Sequence, residues 1–239
     1  MDGMFTGKNI LVVDDEPDLR EILRDELEFA GATLSEAENG AQALTLAKAQ
    51  KFDAIISDIR MPGGDGLTLA KNIKGQDGVN PVMFLVTGFA DVAPAEAYDI
   101  GVEGFIYKPF NLGPVMENLN RAMLDSEKRW SQTLTGVNVK KLPLTGSFAE
   151  LMAKGQISVG RGGLFVKGNY SEIRAQDLVT FELADSCVFT GQVRWIQHET
   201  DSRLTAGLGL EFLNISEAAR KVISEELAKS KPKAYIPRK

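Results

Sequence analysis

Asp53-Ala54-Ile55-Ile56-Ser57-Asp58-Ile59-Arg60-Met61-Pro62-Gly63 is the stretch on which the reading of this chain turns. Four apolar or small residues run into one carboxylate, and a Pro-Gly turn follows at once. A strand covered on both faces of a parallel sheet reads this way, because it need not alternate. Asp58 then stands at the carboxyl end of its strand, where open α/β sheets hold their ligands. Taken alone, the same Asp58 reads as a helix cap or a solvated loop residue.

Three further stretches decide between these readings. Ile10-Leu11-Val12-Val13-Asp14-Asp15-Glu16-Pro17 is a second buried strand, and it ends in two adjacent carboxylates. Val82-Met83-Phe84-Leu85-Val86-Thr87-Gly88 ends in a hydroxyl, and Gly104-Phe105-Ile106-Tyr107-Lys108-Pro109-Phe110 ends in an ammonium group before a proline. In a parallel sheet these ends share one edge and converge. Carboxylates held together repel and stay ionised only with a cation between them, and magnesium suits such an oxygen-rich site.

In the order and spacing of these four motifs, residues 1–128 resemble a CheY-like receiver domain of two-component signalling. The resemblance implies a flavodoxin-like, doubly wound α/β fold of five parallel strands in the order 2-1-3-4-5. It implies that Asp58 accepts a phosphoryl group from a histidine kinase. Mg2+ would be held by Asp15, Asp58 and the backbone carbonyl of Arg60, with Asp14 acting through water. Lys108 and Thr87 would contact the phosphoryl oxygens, and Phe105 would be the aromatic residue that moves when Thr87 is drawn in. Gly88 leaves room for the incoming group, and a cis peptide is expected before Pro109. Tyr107 is set aside as pointing to the other face of its strand. The face built from residues 92–124 would then either pair two chains into a homodimer or release the second domain.

Between these strands the pattern is helical. Leu19, Ile22, Leu23, Leu27 and Ala30 fall at helical spacing over residues 17–30, and Gly31 ends that helix as a left-handed cap. A short strand follows over 32–37, then a helix over 39–50, a helix over 67–73, a loop over 75–81 and a helix over 92–100 that Pro94 interrupts. Leu112, Val115, Met116, Leu119 and Met123 stripe a final helix. The pattern is βα five times.

The chain has 239 residues, 44% hydrophobic and 25% charged, which favours two modest globular domains. No apolar run is long enough to cross a bilayer and no secretion signal is visible at the N-terminus. One cysteine, Cys187, excludes an internal disulfide and fits a reducing compartment, so a cytoplasmic location is expected. Residues 1–128 carry 11 Lys and Arg against 22 Asp and Glu, a net of −11, and residues 129–239 carry a net of +5. Lys229, Lys231, Lys233, Arg238 and Lys239 account for that surplus, so the second domain without its tail is neutral. It lacks the basic stripe of a DNA-binding output.

Residues 129–145 read as a linker, 146–230 as a second domain, and 231–239 as a flexible basic tail. Short strands are expected over 147–158, 164–167, 178–183, 188–197 and 205–213. A helix capped by Ser216 then carries Ala219, Val222, Ile223 and Leu227 on one face, which together suggest a small antiparallel β-barrel closed by one helix. Gly160-Arg161-Gly162-Gly163-Leu164-Phe165-Val166, Thr190-Gly191-Gln192-Val193-Arg194-Trp195 and Ala206-Gly207-Leu208-Gly209-Leu210-Glu211-Phe212 make this part resemble a PilZ domain. PilZ domains commonly bind cyclic di-GMP, through two arginines before the barrel and an Asp/Asn-x-Ser element. Here Lys140 and Lys141 stand where the arginines belong, and Ser158, Val159 and Gly160 replace the second element. Lysine neither stacks flat nor donates a planar fork, so the resemblance implies a kept fold with eroded ligand chemistry, to which Arg161 adds one guanidinium.

The whole reads as a response regulator that signals through a protein partner of its PilZ-like domain and is catalytic only toward its own phosphoryl group. The alternative is a dual-input effector that also binds cyclic di-GMP.

Overall fold

A computed structural model describes residues 3–75, 81–88, 93–200 and 205–238. The chain divides into two compact units, residues 1–93 with 100–124, and residues 94–99 with 125–239.

The first unit is built on β1 (Asn9–Val13), β2 (Thr33–Ala37), β3 (Ala54–Asp58), β4 (Val82–Thr87) and β5 (Gly104–Tyr107). These form one parallel sheet in the order β2-β1-β3-β4-β5, as the sequence implies. The apolar runs do not alternate because both faces are covered. Ile10, Val12, Ile56, Phe84 and Ile106 face a core that also takes Leu23 and Leu27, and Val115, Met116 and Leu119. Leu11, Val13, Ile55, Met83 and Leu85 are equally buried beside them in sequence.

Helix α1 (Pro17–Phe29) has Pro17 in its first turn, where a missing N–H costs nothing. Gly31 follows it at φ +93°, a left-handed position as expected. Of the expected α1 stripe, Ile22 is instead half exposed. Asn39 caps α2 (Gly40–Ala49) by accepting from Gln42 N, and Asp65 caps α3 (Gly66–Lys74) by accepting from Thr68 N. Pro94 opens α4 (Pro94–Ile100) and does not interrupt it; Val92, its expected start, lies outside the described residues, as do 76–80 of the expected loop. Helix α5 (Leu112–Met123) has the bounds its stripe predicts.

The second unit carries α6 (Ser126–Arg129), β6 (Val139–Lys141), α7 (Phe148–Ala153), β7 (Ile157–Val159), β8 (Gly163–Lys167), β9 (Leu178–Glu182), β10 (Val188–Gln197), β11 (Gly207–Ile215) and α8 (Glu217–Ser230). Its six strands form one sheet, β6-β9-β10-β11-β8-β7, antiparallel except for the β6–β9 pair. One core takes Leu164, Val166, Val179, Phe181, Phe189, Val193, Leu210 and Phe212 from the sheet and Ala219 and Ile223 from α8. Cys187 is buried in the same core, and burial pushes its thiol up to about 11, so it is filler and not a reactive thiolate.

Three expectations fail here. Residues 147–158 are not one strand: Ser147 and Glu150 form a reciprocal capping box that starts α7, and only the end of the stretch pairs as β7. Residues 129–145 are not a bare linker, since Trp130 is buried edge-on against Phe212, with ring centres 5.4 Å apart, and β6 joins the sheet. The tail is not simply flexible, because Tyr235, Ile236 and Pro237 are buried. The glycines of β11 have a plain steric reason. A Cβ at Gly209 would overlap the Trp195 indole and one at Gly207 the Phe165 ring, and these rings stack 5.7 Å apart.

Candidate functional site

Register alone lines up the expected site. Val13 pairs with Ser57, Asp58 with Val86, and Thr87 with Tyr107. Asp14, Asp58, Thr87 and Lys108 therefore fall side by side along the carboxyl edge of the sheet. Asp58 is 7% exposed, Thr87 5% and Asp14 1%.

Lys108 binds this row together. Its Nζ lies 2.8 Å from Asp58 Oδ1, 3.4 Å from Asp14 Oδ2 and 3.1 Å from Glu16 Oε1. Its backbone N–H donates to Thr87 O at 2.8 Å, and the Lys108–Pro109 peptide is cis, as expected. Burial alone would lower the Lys108 pKa. Hydrogen bonds to Asp58 and Glu16, with the charges of Asp14 and Asp58, outweigh it and hold the ammonium above its usual range. Glu16 is the residue that sequence reasoning missed; it stands in the same stretch just after the two carboxylates, with its side chain 66% exposed.

Asp58 is fixed from behind. Its Oδ2 accepts from Arg60 N at 2.6 Å, and its backbone carbonyl accepts from Ser57 Oγ at 2.9 Å. Pro62 and Gly63, the latter at φ +79°, then turn the chain toward α3. Asp14 Oδ1 accepts from Glu16 N at 2.9 Å, and the Asp14 carbonyl accepts from Arg20 Nη1 at 2.6 Å.

Among the described residues no three Asp, Glu, His or Cys side chains are gathered closely enough to hold a metal. Asp15 is exposed, while Asp14 and Asp58 share the Lys108 ammonium. Asp14 and Asp58 bring two carboxylates to one cation, the oxygen chemistry a hard ion prefers, and Asp15 would have to turn in to make a third.

Phe105 and Tyr107 correct one reading. They are two residues apart on β5 and so share a face, with rings stacked 6.0 Å apart; Tyr107 is half exposed and belongs with Phe105. Among the described residues, a Cβ at Gly88 would meet nothing within 4 Å.

Of the residues expected to bind a ligand in the second unit, Lys140 and Arg161 are otherwise engaged. Lys140 Nζ lies 2.6 Å from Asp177 Oδ2 and donates to Glu172 O, Lys141 is exposed, and Ser158 is paired with Phe165 across β7 and β8. Arg161 lies over the Tyr235 ring.

Burial holds the Asp14 carboxyl above its ordinary value of 3.8. Its ionised form is therefore costlier in the folded chain than in the unfolded one. The stability this group contributes is full below pH 3.8 and is lost as pH rises through its raised value. Asp14→Asn is accordingly expected to raise the urea midpoint of the first unit at pH 7, with the gain fading below pH 4. A midpoint unchanged or lowered at pH 7 contradicts this.

Residues 10–120 match the response regulator receiver domain family. The N-terminal part of the chain is a receiver domain, the phosphorylated module of two-component response regulators. The C4-dicarboxylate transport transcriptional regulatory protein DctD of Rhizobium meliloti (strain 1021) is 39% identical over 127 residues, 53% of this chain and 27% of that protein. The transcriptional regulatory protein ResD of Bacillus subtilis (strain 168) is 33% identical over 52% of this chain and 50% of its own length. The chain thus spans a quarter to a half of these curated relatives. Among solved structures, the chemotaxis response regulator CheY4 of Vibrio cholerae is 30% identical, covering 49% of this chain and 99% of that one with a TM-score of 0.45. No described helix is long and apolar enough to cross a membrane.

Proposed function

We propose that this chain is a response regulator that takes a phosphoryl group from a histidine kinase onto Asp58 and signals through a PilZ-like second domain to a protein partner. The observation that carries the first half is the Lys108 ammonium lying within 3.4 Å of both Asp58 and Asp14. The fixed ammonium holds the Asp58 carboxylate in place and faces the negative charge that arrives with the phosphoryl group. One Asp58 oxygen attacks phosphorus, the donor's phosphorus–nitrogen bond breaks, and an acyl phosphate remains. Lys108 then turns from the carboxylate pair to the phosphoryl oxygens, and the Thr87 hydroxyl meets them from the neighbouring strand. Asp14, Asp15, Asp58 and the Arg60 carbonyl would hold Mg2+, which when bound supplies positive charge against the incoming oxygens. Movement of Thr87 is read by Phe105 with Tyr107 stacked on it. Residues 92–124 form the face that changes, apart from Val92, which lies outside the described residues.

For the second domain, a protein partner is favoured over cyclic di-GMP and over DNA. Lys140 is committed to Asp177 and Arg161 to Tyr235, so the ligand set is not assembled, and the domain without its tail is neutral. Calorimetric titration with cyclic di-GMP checks this, and tight binding replaces the reading with the dual-input one. The phosphoryl chemistry is tested by incubation with acetyl phosphate and Mg2+. A single acid-stable, base-labile phosphoryl group mapped to Asp58 is expected, and none after chelation. Labelling elsewhere, or none, removes the proposal.

A further inference from the structure

The buried tail occupies a built groove within the second unit. Arg161 N and Gly162 N donate to the carbonyls of Ala234 and Tyr235, each at 2.9 Å, and Arg161 Nε donates to Lys233 O at 3.1 Å. Gly160 and Gly162 leave the floor bare for it: a Cβ on the first would overlap the Tyr235 carbonyl, and one on the second would overlap the Tyr235 ring. That ring has the guanidinium carbons of Arg129 and Arg161 each 5.9 Å from its centroid, and it stacks on Tyr98 at 6.3 Å. The phenol hydroxyl donates to Glu211 Oε1 at 3.0 Å, on a carboxylate that is 3% exposed and ion-paired with Arg194. Paired charges and an aromatic clamp are recognition chemistry, beyond what filling a core requires.

The geometry points to a peptide-docking groove that the chain fills with its own residues 234–237. Its outside ligand is a protein segment presenting a small residue, an aromatic hydroxyl, an aliphatic residue and proline among cations, in the manner of Ala234-Tyr235-Ile236-Pro237. This identifies the chemistry of the partner; it rests on the reading of the second domain as a protein-binding output and not on the phosphoryl chemistry. The tethered segment acts at an effective concentration on the order of millimolar. A partner at micromolar level therefore sees a groove open only in a small fraction of molecules, and its apparent affinity falls by that fraction.

The test uses a fluorescent peptide of residues 231–239 and the unphosphorylated 239-residue chain. Wild type is expected not to bind micromolar peptide, whereas Tyr235→Ala, which removes the resident ring, binds at least about tenfold more tightly. Adding Gly162→Ala to that variant is expected to abolish the binding, as is the Tyr-to-Ala change in the peptide. Intact Trp130 and Trp195 emission shows that the unit stays folded. If Tyr235→Ala unfolds it, Tyr235→Phe, which drops only the hydroxyl given to Glu211, carries the same comparison. Equal binding to wild type and variant, or none to either, overturns the proposal. So does a wild-type dimer in solution that the peptide dissolves, since the groove would then belong to a second copy.

Discussion

Gly66→Ala is expected to slow phosphoryl acceptance at Asp58 roughly a hundredfold, although residue 66 never touches the phosphoryl group. Gly66 opens α3 directly behind the end of β3. A Cβ there would overlap the Asp58 carbonyl oxygen and stand 2.9 Å from Ser57 Oγ. The obstacle is backbone, so no side chain can turn away, and either the helix start or the strand end must shift. Asp58 is located by a 2.6 Å bond from Arg60 N and a 2.8 Å contact with Lys108, and a displacement of the strand end is passed straight to its carboxylate. Overpacking of this kind also costs about 1–3 kcal/mol. Gly113→Ala in α5 is the matched control, because among the described residues its Cβ meets nothing within 4 Å. The rate of acyl phosphate formation from acetyl phosphate separates the two. If Gly66→Ala reacts as fast as Gly113→Ala, the site is not held from behind in this way.

The receiver half was legible because its chemistry and its fold are written in the same residues. Each apolar run ends at a polar or charged side chain, so the strands themselves place Asp14, Asp58, Thr87 and Lys108 along one edge. What was not legible follows from side-chain direction and solvent. Glu16 reaches Lys108 from just after the paired carboxylates, and nothing in its type separates it from a surface acid. Tyr107 reads as pointing to the other face of its strand, whereas the strand period of two places it with Phe105. Asp15 reads as the direct ligand and Asp14 as the one acting through water, yet Asp14 is buried beside Lys108 and Asp15 is exposed.

The second half was legible in its glycines and strands and illegible in its joins. Gly207 and Gly209 announce a close approach, and the Phe165–Trp195 stack is what approaches. The join at 147–158 failed because a capping box, Ser147 with Glu150, outweighs a strand-like composition. The tail failed because lysines and prolines dominate its composition, while one aromatic ring and the groove of Gly160 to Gly163 decide its placement.

The same blindness to partners hides a buried ion pair of the receiver. Lys74 and Glu103 side chains are each 2% exposed, with Nζ 2.7 Å from Glu103 Oε2. Lys74 also donates to Pro81 O at 2.6 Å, and Met83 N donates to Glu103 Oε2 at 2.7 Å. The pair joins the end of α3 to the starts of β4 and β5, the two strands whose far ends carry Thr87 and Lys108. Glu103→Leu leaves an ammonium in a dry site and the Met83 N–H without that carboxylate, and is expected to cost about 3–5 kcal/mol. At about 1.4 kcal/mol per tenfold, amide exchange in β4 and β5 should accelerate roughly a hundredfold or more. Lys74→Met with Glu103→Leu removes both charges and should recover part of the loss, the remainder being the orphaned Met83 N–H at about 1–3 kcal/mol. Both tryptophans lie in the second unit, so their emission should not follow this change and hydrogen exchange must be the measure. A double variant no more stable than the single one would mean that the pair holds β4 and β5 by shape and not by charge.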